Sequence, residues 1–193
     1  MKRRLTLLAF LSMFLFLVSG IRTKDPEVTI KTEYGDIVVE LYAGKAPVTV
    51  SNFLKYADSK LYMNTSFYRV VRMDNQLRDS IKIEVIQGGR RNEENNGFPA
   101  IRHETTSETG IHHLNGVISM ARSAPGTATS EFFICVGDQP ELDFGGKRNK
   151  DGQGFAAFGK VIAGMDVVAK IHSLNAPGQY LENPVKILSI KRK

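Results

Sequence analysis

The sequence predicts a mainly β protein, an antiparallel barrel or sandwich capped by helices. The chain contains many short segments of branched and aromatic residues, and turn-forming residues separate them. Helical spacing of apolar residues occurs in two segments that lie far apart in the chain. Strands and helices do not alternate in the rhythm of a parallel α/β protein. We therefore expect neighbouring strands to run antiparallel, with helices covering the ends of the sheet.

Each strand is predicted from alternating polarity or from a short apolar run between turn residues. The predicted strands span residues 28–32, 36–41, 66–71, 81–86, 117–120, 131–136, 155–161 and 185–190. The turn of the first hairpin lies at residues 33–35. The first helix is predicted over 48–59, where Pro47 suits the first helical position, and the second over 165–172. Polar, turn-rich loops are predicted at 72–80, 90–110 and 137–154.

The segment at 131–136 carries large apolar side chains on both faces. Because strand side chains alternate, Phe132 and Ile134 point to one side, and Phe133 and Cys135 point to the other. One side can be a core. The other is either covered or forms a groove for an apolar group, and the segment alone leaves both open. Cys135 is the only cysteine, so we expect a small buried side chain rather than a reactive thiol.

The N-terminus has the pattern of an export signal. Basic residues at 2–4 precede an apolar stretch at 5–18, and small residues follow it. We predict a signal peptide at 1–20, a short linker at 21–26 and a folded domain at 27–193. The folded domain then lies outside the cytoplasm, in the periplasm if the source is a bacterium. The stretch is short for a membrane span, so an uncleaved anchor that leaves the domain facing the periplasm is the alternative.

Composition excludes several function classes. The formal net charge is +6, but half of it comes from residues 2–4, so no nucleic-acid partner is expected. Of the four histidines only His112 and His113 are neighbours, and their spacing fits no zinc site. We predict no metal, no cofactor and exposed loop histidines. No nucleophile elbow and no phosphate-binding glycine loop is present.

An arginine within an apolar strand, Arg69, remains unexplained, because such a residue is usually an edge or ion-pair residue. It belongs, however, to a set of motifs that occurs in order from about residue 27 to residue 191. The motifs are Phe67-Tyr68-Arg69-Val70, Gln87-Gly88-Gly89, residues 116–122 (GVISMAR), Ser130-x-Phe132-Phe133-Ile134, Leu142-Asp143, Phe158-Gly159-Lys160-Val161 and residues 164–168 (GMDVV). Because these motifs occur together and in this order, the sequence resembles the cyclophilins, a family of peptidyl-prolyl cis-trans isomerases. It resembles their exported bacterial members most.

The resemblance implies an eight-stranded antiparallel barrel with a helix at each end and a substrate groove on its outer face. It implies that Arg69 is the catalytic residue, that Gln87 holds it, and that Phe133 lies beneath the proline ring. The substrate-binding residues that it implies are Val85, Gln87, Met120, Ala121, Arg122, Glu131, Phe133, Leu142 and Phe155. The implied partners are proline-containing peptides and unfolded exported proteins, bound by a monomer.

Several positions depart from the family pattern. The span between Arg69 and Gln87 is longer than in the family, and Glu84-Val85 replaces its Phe-Met pair. Glu131 replaces a glutamine, and Glu141 replaces a tryptophan or phenylalanine. These glutamates predict a shallower and more acidic groove that favours peptides with Lys or Arg beside the proline. The expected function is isomerisation of X-Pro bonds that assists the folding of exported proteins. The alternative is a peptide-binding or chaperone module of the same fold with weak or no isomerase activity.

Overall fold

The computed structural model describes residues 24–77, 79–91 and 97–193. Eight antiparallel strands close into a barrel in the order β1-β2-β7-β5-β6-β4-β3-β8, which confirms the predicted fold class. The strands are β1 (Glu27–Thr32), β2 (Gly35–Leu41), β3 (Thr65–Val71), β4 (Val85–Gly89), β5 (Val117–Met120), β6 (Phe132–Cys135), β7 (Ala156–Ala163) and β8 (Tyr180–Arg192). The predicted export signal lies outside the described residues.

Two longer helices cover the barrel, as the sequence predicts. Helix α1 (Pro47–Asp58) begins with its proline and packs against β7 and β8. Helix α3 (Met165–His172) has the predicted bounds and packs against β2, β3 and β4. A single helical turn, α2 (Thr106–Thr109), lies within the segment predicted as a loop. It is too short to show a helical period, and a hydrogen bond from its backbone to the Thr105 side chain begins it.

Alternation along β6 divides the apolar residues into two clusters. Phe132 and Ile134 belong to the main core inside the barrel. Phe133 and Cys135 belong to a second, smaller cluster on the outer face. The predicted division of the two faces is therefore confirmed. Burial raises the pKa of the Cys135 thiol, which fits the expected small buried side chain.

The bounds of two strands, β4 and β8, differ from the prediction by more than two residues. Strand β4 starts four residues later than predicted and includes Gln87. Just before the strand, the backbone of Ile83 makes its hydrogen bonds with the side chain of Gln76 instead of with a neighbouring strand. Gln76 Nε2 donates to the carbonyl oxygen of Ile83 at 2.8 Å, and Gln76 Oε1 accepts from the Ile83 amide at 3.2 Å. Strand β8 is much longer than the predicted 185–190 because it pairs with both β1 and β3. No helix in the described ranges is long and apolar enough to cross a membrane.

Phe132 is at the centre of the barrel core. Its ring makes edge-on contacts with Phe53, Tyr62 and Phe67 at centroid distances of 5.4, 5.6 and 5.8 Å. We predict that Phe132→Ala lowers the free energy of unfolding by about 3–5 kcal/mol, because it leaves a cavity among these rings. Urea unfolding followed by circular dichroism measures the change.

Phe144, which is 48% exposed, provides the matched control. Phe144→Ala should change the free energy of unfolding by less than ~0.5 kcal/mol, as is usual for exposed positions. Equal losses for the two variants would contradict the assignment of Phe132 to the core.

Candidate active site

A cleft of about 510 Å³ lies on the outer face of the barrel, over strands β3, β4 and β6. It is lined by Arg69, Ile83, Val85, Gln87, Arg90, Ala121, Arg122, Ser123, Thr127, Thr129, Glu131, Phe133, Leu142, Arg148, Asn149 and Phe155. We refer to this cleft as the groove. Nine of the ten residues predicted from the sequence line it, although they come from separate parts of the chain.

Met120 is the exception. Its side chain is 1% exposed and belongs to the main core, so it does not line the groove. The register of the sheet explains this position, because Met120 pairs with Phe132, whose side chain also points inward. The neighbouring Ala121 lies just beyond the strand and reaches the groove instead.

The floor of the groove is apolar. Phe133 is 4% exposed and packs with Val85, Leu142 and Ile83 in the outer cluster. Phe155 closes one side, with its ring perpendicular to that of Phe133 at a centroid distance of 5.3 Å. An apolar ring of a ligand can therefore be buried here against aromatic and branched side chains.

Strand pairing brings the polar side chains to the same floor. Arg69 of β3 pairs with Gln87 of β4, and Gln87 pairs with Phe133 of β6. Arg69 Nη1 donates to Gln87 Oε1 at 2.9 Å. From the opposite side, Gln179 Oε1 accepts from Arg69 Nε at 3.1 Å and from Nη2 at 2.5 Å. Three of the five N–H groups of the guanidinium are thus used to orient it, and the other two, which have no acceptor among the described residues, remain for a ligand.

Arg69 keeps its charge, and no carboxylate of the described residues pairs with it. Burial lowers the pKa of this guanidinium, but an arginine has a pKa so high that it stays protonated at neutral pH. Among the described residues its side-chain acceptors are the amide oxygens of Gln87 and Gln179. Amide oxygens orient a guanidinium without neutralising it, so the positive charge remains available in the groove.

Comparison with known proteins identifies this arrangement. Residues 27–192 match the family model described as cyclophilin type peptidyl-prolyl cis-trans isomerase. The chain belongs to the cyclophilin-type peptidyl-prolyl cis-trans isomerases. The match covers the whole barrel and all the residues that line the groove.

Individual relatives agree with the family. The chain is 39% identical over 153 residues to peptidyl-prolyl cis-trans isomerase B of Escherichia coli K12, covering 75% of this chain and 82% of that protein. It is 36% identical over 191 residues to a peptidyl-prolyl cis-trans isomerase of Acinetobacter baylyi, covering 92% and 90%. A crystal structure of a cyclophilin type isomerase of Cryptosporidium parvum superposes with a TM-score of 0.71 at 23% identity, covering 88% and 98% of the two chains.

Glu131 does not form an ion pair with Arg69. Its Oε2 accepts from Gln87 Nε2 at 2.9 Å, and Gln87 Nε2 also donates to the Tyr68 hydroxyl at 2.9 Å. Burial and the neighbouring Glu131 carboxylate raise the pKa of Tyr68, so its hydroxyl stays protonated. Glu131 therefore fixes the amide of Gln87, whose oxygen in turn faces Arg69.

The prediction of an acidic groove is wrong. Four arginines line it against one glutamate, Glu131. Glu141 does not line the groove, since its Oε2 accepts from the backbone amide of Lys147 at 2.8 Å. Glu84 is also absent from the lining. The sequence identifies these residues as acidic but does not show in which direction their side chains point.

Arg122 forms a rigid wall of the groove. Its two terminal nitrogens donate to the Asp151 carboxylate at 2.8 and 2.9 Å, and its Nε donates to the Gly154 carbonyl at 2.9 Å. The guanidinium also lies over the Phe155 ring, 5.2 Å from the centroid. The charge of Arg122 is therefore balanced within the wall.

His113 is buried, which corrects the expectation of exposed loop histidines. Its ring lies parallel to the Phe133 ring at a centroid distance of 5.9 Å. His113 Nδ1 is 2.6 Å from Asp143 Oδ1, and Nε2 is 2.9 Å from Ser119 Oγ. A neutral imidazole protonated at Nδ1 satisfies both contacts, because it donates to Asp143 and accepts from Ser119. His113 thus packs against the Phe133 ring and does not itself line the groove.

Several residues of the site were missed by sequence reasoning, and Gln179 and Arg148 are the two that bear on its charge. Gln179 lies 110 positions from Arg69 and occupies a turn with a positive φ of 76°. Arg148 lines the groove from within the long loop after β6. Neither position has a local pattern, because each is placed by contacts with residues far away in the chain: Gln179 with Arg69, and Arg148 with the segment between β3 and β4. Within the described ranges no group of three or more His, Cys, Asp or Glu side chains could hold a metal ion.

The buried histidine predicts a pH dependence of stability. Burial lowers the pKa of His113 even though Asp143 opposes that shift. The unfolded chain therefore takes up a proton at a pH where the folded protein does not, and stability is lost as pH falls below about 6.5. We expect the free energy of unfolding to fall between about pH 7 and pH 5.5.

The variant His113→Gln isolates this effect. Urea unfolding at both pH values should show a smaller fall for the variant than for the unchanged protein. An equal fall in the two proteins would assign the pH dependence to other groups.

Proposed function

We propose that the groove catalyses rotation about X-Pro peptide bonds, with Arg69 as the catalytic residue. The observation that carries this proposal is a charged guanidinium, oriented by two amide oxygens, in the same cleft as an apolar floor formed by Phe133. Phe133 and its neighbours Val85 and Leu142 bind the proline ring. Ala121 and Arg122 form the wall along which the peptide lies.

The chemistry requires no covalent step. A peptide bond resists rotation by about 18–20 kcal/mol because its C–N bond has double-bond character. When the bond twists, the nitrogen lone pair is no longer shared with the carbonyl and becomes a hydrogen-bond acceptor. Either of the two remaining N–H groups of Arg69 can donate to it. The planar ground state offers no such acceptor, so this hydrogen bond stabilises the transition state selectively.

Removal of the guanidinium tests the proposal. We predict that Arg69→Ala lowers kcat/KM by about 10²- to 10³-fold, the usual cost of losing a donor aimed at the transition state. The measurement is a cis–trans isomerisation assay on a short Ala-Pro peptide. Arg102, an exposed arginine that pairs with Glu108, is the control, and Arg102→Ala should keep the original rate.

The same assay separates catalysis from binding alone. If the unchanged protein and Arg69→Ala both proceed at the uncatalysed rate, the protein is a peptide-binding module rather than an isomerase. Calorimetry with the same peptide would then measure the remaining binding.

The role of Glu131 gives a second prediction. Glu131→Gln keeps an oxygen that accepts from Gln87, so kcat/KM should change by less than about threefold. Glu131→Leu removes the acceptor and leaves a buried amide hydrogen unpaired, which costs about 1–3 kcal/mol and frees Gln87 to turn away from Arg69. We expect kcat/KM of Glu131→Leu to be lower than that of Glu131→Gln by about tenfold or more. Equal activities would show that Glu131 does not position Gln87.

We further propose that the isomerase acts as a monomer on unfolded exported proteins, in the bacterial periplasm. The basic residues and apolar stretch that begin the sequence support export, and a groove complete within one chain supports the monomer. Mass spectrometry of the protein isolated from a periplasmic fraction tests the location. A mature chain that begins near residue 21 is the expected result, whereas an intact N-terminus in the membrane fraction would indicate the anchored form.

A further inference from the structure

Arg148 is held beside the apolar floor of the groove by a loop that the family pattern does not predict. Its Nη1 donates to the Ile81 carbonyl at 2.6 Å and to Gln76 Oε1 at 3.1 Å, and its Nη2 lies 3.2 Å from Asp79 Oδ2. All three acceptors belong to the long segment between β3 and β4. The side chain is 13% exposed and lines the groove.

Arg148 is held through its side chain and through its backbone amide, and both contacts lie next to residues of the outer cluster that forms the proposed proline pocket. Ile83, two residues beyond its carbonyl acceptor, packs with Phe133 in the outer cluster. The backbone amide of Arg148 donates to the carbonyl of Glu141 at 3.1 Å, next to Leu142 of the same cluster. The guanidinium is therefore fixed next to the pocket and cannot swing freely into solvent.

The charges around Arg148 leave the groove electropositive. The carboxylate of Glu131 is engaged by Gln87, and that of Asp151 by Arg122. The Asp79 side chain is 40% exposed and contacts Arg148 at one distance of 3.2 Å. Arg69 has no carboxylate partner among the described residues. Arg148 and Arg69 line the same groove. Burial lowers the pKa of Arg69 most, the Arg148 charge lowers it further, and the Asp79 carboxylate opposes that shift.

We propose that the isomerase prefers peptides with an aspartate or glutamate next to the proline, on the side that faces Arg148. This inference rests on the proposed function and names its substrate class. An acidic side chain there meets a guanidinium that the protein has already ordered, so little conformational entropy is lost on binding. A lysine at the same place is repelled by Arg148 and Arg69.

A peptide series measures the preference. Glu, Gln and Lys are placed in turn before the proline and after it, in otherwise identical peptides at low salt. For one of the two positions we expect kcat/KM to be about two- to fivefold higher for Glu than for Gln, which is the range of a partly exposed ion pair. Lys should fall below Gln. Addition of about 0.5 M salt should reduce the ratio, because salt screens the interaction.

Three variants assign the preference to Arg148. Arg148→Gln should bring the Glu/Gln ratio close to one, and Arg148→Lys, which keeps the charge, should retain most of it. Lys147→Gln removes the same charge from the neighbouring residue, whose side chain does not line the groove, and should leave the ratio unchanged. A loss in Lys147→Gln equal to that in Arg148→Gln would indicate the general field of the loop and contradict the assignment.

Asp79→Asn tests the inference with Arg148 in place, in case Arg148→Gln fails to fold. Without the Asp79 carboxylate, Arg148 is less neutralised, and the Glu/Gln ratio should rise. An unchanged or lower ratio would contradict the proposal.

The outcomes for the inference and for the proposed function are distinct. If the Gln peptides are turned over but Glu confers no advantage at either position, the preference is absent while the isomerase assignment stands. Faster turnover of the Lys peptides would also overturn it. If no peptide is turned over, the proposed function fails. Calorimetric affinities for the same peptides then decide whether Glu is preferred.

Discussion

The hydrogen bond between Gln87 Oε1 and Arg69 Nη1 is the contact on which the groove depends. It fixes the guanidinium on one side while Gln179 fixes it on the other. Gln87 can present its oxygen because Glu131 and the Tyr68 hydroxyl both accept from its nitrogen. An amide that turned over would face Arg69 with a donor. The carboxylate of Glu131 therefore orients the Arg69 guanidinium through Gln87, without contacting it.

The barrel and the groove share the same strands, and alternation keeps their roles apart. On β6, Phe132 packs inside the barrel and Phe133 faces the groove. A slip of one residue in the pairing of β6 would exchange the two rings. Such a slip is opposed by three aromatic neighbours of Phe132 and by the His113 ring stacked on Phe133. The stability of the core thereby determines the geometry of the groove floor.

Sequence reasoning predicted what depends on local patterns and on ordered motifs. Helix α3 has the predicted bounds, and the faces of Phe132 and Phe133 follow from alternation alone. It failed where distant parts of the chain meet. Gln179 contacts Arg69 across 110 positions of the chain, and Arg148 is placed by the segment between β3 and β4. His113 is buried because Asp143 and Ser119 satisfy its nitrogens. Met120 was misplaced because the register of β5 against β6 is not readable from either strand.

The charge of the groove shows why residue types alone do not give electrostatics. Glu141 and Glu84 suggested an acidic surface, yet neither lines the cleft. A charge affects a bound peptide strongly only within about 10 Å at moderate salt, and less when a partner already neutralises it. Arg122 is neutralised by Asp151, whereas Arg69 is held by amides and Arg148 by one carboxylate contact and two neutral oxygens. The field that a peptide meets is set by these pairings, and they depend on the loops that join the strands.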